Sequence, residues 1–289
     1  MTTLNIAAAA DSSGAPTEVE DATTQLEARR PNWLQRTAAN WKIHLAQVLV
    51  VAGILVVWQL VDGPILPDYL ISSPSGVAVE LWQLITGVEP GLWVNLGITG
   101  QELAIGYVIG VVSGVAGGLI LGYWRAGAAV IGPVITAING IPKIALAPLF
   151  LIWFGIGVES KIAIAAMTVF FIMYYNTFMG ITTMPTPLVD VVRIMGGNRS
   201  LVIRRVVLPQ IAPSLLAGLK SSVPFAMIGV IVGEFIASDS GIGNYISNAT
   251  QNFESAKVFA GIVLLMILIL VGMWLVSLVE RRVLRWQRD

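Results

Sequence analysis

The sequence predicts an all-α, polytopic membrane protein with about six transmembrane helices, and three observations carry that prediction. Only 12% of the residues are charged and 56% are hydrophobic, whereas a soluble domain carries roughly 25% charged residues. Apolar runs close to the length a helix needs to cross a bilayer recur along the chain. The alternating segments of about ten residues that mark a transmembrane barrel are absent. A net charge of zero gives no case for nucleic acid as a partner. With no cysteine, disulfides and thiolate metal sites are excluded. The single histidine, His44, flanks the first apolar run and reads as an interfacial residue.

Taken in order, residues 1–40 read as a disordered cytoplasmic tail and 41–289 as the membrane domain. The tail begins Ala-, Thr- and Glu-rich, without the cationic start and apolar core of a signal peptide. The first span runs from about Leu45 to Val61. In SSPSGVAVELWQLI, Ser73 suits a helix cap and Pro74 the first helical position. Val77, Leu81 and Leu84 then share one face, with Trp82 at the interface. The second span, about Gly97–Gly122, carries Gly106, Gly110, Gly114, Gly118 and Gly122 at a spacing of four. That stripe lies along one helix face and predicts a close helix-packing seam. The third stretch, about Ala128–Phe154, is interrupted at Asn139-Gly140-Ile141-Pro142-Lys143 and again at Pro148. A broken helix at membrane depth is tolerated where it lines a cavity or is buried in protein. The fourth span ends near Thr183. The fifth is about Ser221–Ala237 and the sixth about Val258–Val279, the latter closed by Glu280-Arg281-Arg282.

Orientation follows from the loop cations. With the N-terminus inside, the inner segments hold fourteen Lys and Arg and the outer segments two, Lys161 and Lys257. Both termini are therefore expected in the cytoplasm.

The segment Pro187–Pro209 stands apart. Arg193, Arg199, Arg204 and Arg205 lie there between two long apolar blocks. Thr186-Pro187 reads as a helix start, with Asp190 in its first turn. Val189, Val192 and Met195 share a face. Gly196-Gly197 ends that helix. Ser200–Val207 reads as a second short helix stopped by Leu208-Pro209. The result is a knob with apolar and cationic faces, suited to anionic lipid or to a cytoplasmic partner.

Ionisable residues inside spans are functional candidates. Glu234 is either a path residue, an acid reaching the outer interface, or one bonded to a neighbouring helix. Glu102 reads as interfacial. Lys143 either attracts an anion on the path, reaches the inner interface or pairs with an acid. Asn176 lines a polar pore or bonds another helix. No pair of these has metal-site or hydrolytic spacing.

The segment resembles the cytoplasmic loop motif of ABC importer permeases on Asp190-Val191-Val192, Gly196 and Val206-Val207-Leu208-Pro209. YLISSPSGV, IPKIALAPLFLIWFGIG, GEFIASDSGIGNYI and LVERRVLRW look like the nitrate/sulfonate/taurine (bicarbonate) branch, in order from about residue 45 onward. The motif departs in having Asp for Glu and valines for alanines. The resemblance implies a type I importer fold in which residues 186–210 are the coupling loop. Asp190, Arg193, Gly196, Gly197, Arg199, Val206, Leu208 and Pro209 would then contact an ATPase subunit. It further implies a permease homodimer, two ATPase subunits that bind ATP and Mg, an extracytoplasmic binding protein and a bacterial plasma membrane location. The chain is expected to be no enzyme and to bind no cofactor itself. It has no G-x-x-x-x-G-K-[ST] phosphate loop, so ATP hydrolysis would belong to another polypeptide. The implied cargo is a small anion such as nitrate, a sulfonate or taurine. An aromatic acid or vitamin precursor is the alternative cargo. A secondary transporter is more remote, because only one span is broken and no second half mirrors it.

Overall fold

The computed structural model describes residues 33–62, 67–87, 91–236 and 238–283. Among them there is no strand, and five helices are long and apolar enough to cross a membrane, six if one bent pair counts as a span. Helix α1 (Trp33–Val61) belongs, through Leu60, to a unit of its own. It begins earlier than the expected boundary, so residues 33–40 are helical rather than part of a tail. No Gly or Pro interrupts the sequence between Trp33 and Gly53, and nothing there stops the helix from propagating toward its N-terminus. The rest of the expected tail lies outside the described residues.

The second unit, from Val61 on, begins with α2 (Asp68–Ile71) and α3 (Pro74–Thr86). The Ser73 hydroxyl accepts the Gly76 amide at 3.3 Å, and Pro74 stands at the start of α3. Gly87, at φ 77°, closes it. Val77 and Leu84 are buried and Trp82 is exposed.

Three long helices form the centre: α4 (Leu92–Tyr123), α7 (Val158–Thr182) and α10 (Leu208–Ile236). Helix α7 is packed on both sides. Along α4, Gly106 meets Ala165, Gly114 meets Met173 and Gly122 meets Ile181, so α4 and α7 run parallel. Along α10, Gly218 meets Asn176, Gly229 meets Ala165 and Gly233 meets Lys161, so α10 runs antiparallel to α7. In a membrane, helices gain little from hiding apolar surface from lipid. Close backbone approach through small residues supplies the packing instead. Val169, Met173 and Ala226 are buried where the three helices meet. The Tyr107 hydroxyl donates to the Leu219 carbonyl at 2.7 Å, tying α4 to α10.

Between α4 and α7 the chain makes α5 (Arg125–Asn139) and α6 (Lys143–Phe154), bent by 94° at Gly140-Ile141-Pro142. Pro142 lacks an amide hydrogen and disfavours helix at the residue before it. Pro148, by contrast, sits inside α6 without ending it. After α10 come α11 (Ile242–Gln251) and α12 (Ser255–Val283). The Lys220 ammonium of α10 pairs with the Glu280 carboxylate of α12.

Candidate functional site

The segment between α7 and α10 forms α8 (Thr186–Ile194), α9 (Arg199–Val202) and a five-residue π-helical turn, Ile203–Val207. Pro185 caps α8, and Thr186 is its first residue rather than the cap. Asp190 is consequently the fifth residue, past the first turn, and it is exposed. Val189 and Val192 turn inward onto Ile181, Val202, Val207 and Ile211. Met195 does not share that face. It lies past the last helical residue and is 81% exposed, beside Ile194 at 85%. Leu188 and Val191 are also exposed, so α8 presents an apolar edge next to the Asp190 carboxylate.

The double glycine has a specific geometry. Gly196 adopts φ 78°, the left-handed conformation that only glycine enters freely. Its amide donates to the Arg193 carbonyl at 3.0 Å, and the Gly197 amide donates to Val192 at 2.9 Å. These paired bonds close the helix end in a Schellman motif. A Cβ on Gly197 would lie 2.6 Å from both the Val192 carbonyl oxygen and its Cγ1. The turn is thus fixed by sterics on both glycines.

The second half of the segment departs from expectation. Leu208-Pro209 does not stop a helix. The π turn leads directly into α10, so the loop and the membrane span form one helical arm from Ser200 to Ile236. Proline clashes with the carbonyl four residues earlier in a regular helix. Here the Leu208 amide donates to Ile203, five residues back, and the widened turn makes room for Pro209. Val206 is half-buried, and Leu208 and Arg193 are exposed. The Arg199 side chain lies outside the described residues.

A second cluster sits at the start of α4 and α7 and the end of α10. Lys161, 3% exposed, donates to the Glu102 carboxylate at 3.0 Å and to the Ser238 hydroxyl at 2.6 Å. Glu102 is fully buried rather than interfacial, and Lys161 is not a loop residue. With Lys161 removed from the loop count, Lys257 alone remains on the expected outer side. Glu234, also buried, accepts the Thr99 hydroxyl at 2.7 Å and the Gly243 amide at 2.5 Å. Thr99 in turn accepts the Ile242 amide at 2.9 Å, and Asn95 accepts that of Gly241 at 3.0 Å. The turn after α10 is thereby fastened to α4. Of the alternatives open for Glu234, the observed one is bonding to a neighbouring helix.

The third place is the break between α5 and α6. Lys143 donates to the Asn139 carbonyl at 2.6 Å and to the Asn139 side-chain oxygen at 2.8 Å, and its ammonium stands 5.1 Å from the centre of the Phe171 ring. It lines a cavity of about 240 Å³ together with Asn139, Thr168, Phe171, Ile172, Tyr175 and Phe225. Asn176 and Glu234 line no part of this cavity. The Asn176 amide instead donates to Ile172 in its own helix at 2.8 Å, and the side chain packs on Gly218. Of Lys143, Asn176 and Glu234, only Lys143 lines this cavity. Sequence reasoning missed Thr99, Lys161 and Ser238. The signal available was depth, because Glu102 and Lys161 lie in the N-terminal parts of their spans and Glu234 at the C-terminal end of a span that runs the other way.

Residues 106–285 match the family described as binding-protein-dependent transport system inner membrane component. The chain is 31% identical over 243 residues to a Bacillus subtilis protein named for aliphatic sulfonates transport, SsuC, covering 84% of this chain and 87% of the relative. It is 32% identical over 248 residues to the Escherichia coli protein of the same name, covering 86% and 94%. The riboflavin transport system permease protein RibX of Chloroflexus aurantiacus is 32% identical over 235 residues, covering 81% and 87%. Among solved structures, an inward-facing MetNI methionine ABC transporter matches with a TM-score of 0.55 at 22% identity, covering 72% of this chain and 99% of that one. That similarity shows a shared fold. On the family match and these relatives, the chain belongs to the binding-protein-dependent transport system inner membrane components, as an ABC importer permease and not an enzyme.

Proposed function

We propose that this permease imports a small organic anion of the sulfonate class, driven by ATP that a separate subunit hydrolyses. The working assembly in this reading is a permease homodimer with two ATPase subunits, which hold ATP and Mg, and an extracytoplasmic binding protein. Both termini face the cytoplasm of a bacterial plasma membrane. The observation that carries the reading is the apolar edge of α8, Leu188, Val191 and Ile194, continued by Met195 just past its end and exposed beside Asp190. That edge stands on a helix end locked by Gly196 and Gly197, ahead of the arm that continues into α10. A knob of fixed shape seated in an ATPase groove would pass movement to α10 as a rigid lever, and the spans would alternate between inward- and outward-facing states. The SsuC relatives support the sulfonate cargo. RibX, and the formylaminopyrimidine transport permease ThiX of Halalkalibacterium halodurans, support a heterocyclic vitamin precursor as a second reading.

Asp190→Lys and Gly196→Pro test the coupling assignment. Proline cannot adopt φ 78° and removes the amide that bonds Arg193. Both variants should insert normally, lose the co-purifying ATPase and lose ATP-driven uptake. Normal uptake by either would refute the assignment.

A further inference from the structure

We infer that the cavity at the α5–α6 break is a binding site for a small organic oxyanion, with Lys143 as its cationic anchor. The inference rests on the importer reading for its place in transport, but its evidence is separate. Four lysines have described side chains. Lys161 pairs with Glu102, Lys220 with Glu280 and Lys257 with Glu254. Lys143 alone among them has no carboxylate partner. Its hydrogen-bond partners are the two neutral oxygens of Asn139. A cation in a membrane-spanning segment pairs with an acid or a backbone carbonyl or faces a water-filled cavity. Lys143 has the Asn139 carbonyl and the cavity, and no acid among the described residues neutralises its charge. It is also the first residue of α6, where the helix dipole disfavours positive charge and attracts an anion.

The cavity has the chemistry to provide that anion with a site. An ammonium carries three donors, of which Asn139 takes two, so one remains for a ligand. Asn139 accepts through its side-chain oxygen and so keeps its NH₂ to donate. Phe171, Tyr175 and Phe225 supply apolar walls around these donors. The face of Phe171 steadies the ammonium by cation–π attraction. At about 240 Å³ the space is below the roughly 300–1,000 Å³ of sites that hold drug-sized ligands. A compact sulfonate or carboxylate head fits this space beside the ammonium. The competing role for Lys143 is purely architectural, capping the Asn139 carbonyl at the end of α5. A glutamine at 143 keeps a donor for that cap and removes the charge.

The test uses the permease with its ATPase in nanodiscs and 2,2,2-trifluoroethanesulfonate as the probe, followed by ¹⁹F NMR, with neutral trifluoroethanol as control. The wild type should bind the sulfonate saturably and not the alcohol. Lys143→Gln should weaken binding by about tenfold or more, the worth of one hydrogen bond to a charged group. Ile172→Phe, which fills the cavity and leaves the charge in place, should weaken it similarly. Wild-type-like binding by Lys143→Gln, or no binding by the wild type, overturns the inference. The two readings fail separately. A permease that never co-purifies with an ATPase defeats the importer reading, whereas an intact complex whose Lys143→Gln variant binds normally defeats only the anion site.

Discussion

Replacing Lys161 with methionine will destabilise the folded permease by about 3–5 kcal/mol, the range for removing one partner of a buried ion pair. Methionine is close to lysine in volume, so the effect is electrostatic rather than a cavity. Lys161 is 3% exposed and Glu102 fully buried. Without the ammonium, the Glu102 carboxylate would remain in a spanning segment with no cation, and its Oε2 already finds no donor among the described residues. Ser238 would lose its link to α7 as well. Thermal unfolding in detergent measures the loss. The double variant Lys161→Met with Glu102→Gln should recover much of it, since charge balance is restored. A single variant as stable as wild type would mean that the pair does not hold α4 to α7.

The second large effect is expected at Gly110→Val. A Cβ there would lie 2.6 Å from the Ala166 carbonyl oxygen and 2.6 Å from the Val169 Cβ. A backbone carbonyl cannot rotate away as a side chain can, so α4 and α7 must separate. Overpacking costs about 1–3 kcal/mol where side chains can adjust, and this variant should reach or exceed the top of that range. Gly117→Val is the control. Its Cβ would meet the Phe170 ring at 3.5 Å, an ordinary contact. Folded yield on size-exclusion chromatography should fall for Gly110→Val and hold for Gly117→Val. Equal yields would contradict the seam.

These two predictions also mark what the sequence does and does not make legible. The spacing of Gly106 to Gly122 is a local pattern, and a period of four on a helix places all five on one face whatever they meet. The spans and the Asn139–Lys143 break are equally local, set by hydropathy and by Pro142. Lys161 and Glu102 are 59 residues apart, and no local rule pairs them. The pairing depends on two spans running parallel in a register that sets Gly106 against Ala165 and Gly114 against Met173, and so Glu102 beside Lys161. Pro209 misleads for a related reason. Proline is a stop signal only where the preceding turn is α-helical, and the π turn before it is not visible in composition. Met195 misleads because Gly196 ends the helix one residue sooner than the apolar period continues.

In the proposed assembly the exposed edge of α8 seats against the ATPase. The chain has no cysteine, so a single introduced thiol is its only attachment point for a photo-activated cross-linker. Met195→Cys, at the tip of that edge, should capture the ATPase subunit in native membranes. Asn248→Cys, exposed on α11 and on the opposite side of the membrane in the proposed orientation, should not. Failure of Met195→Cys to capture the ATPase, or capture of it by Asn248→Cys, would contradict the account.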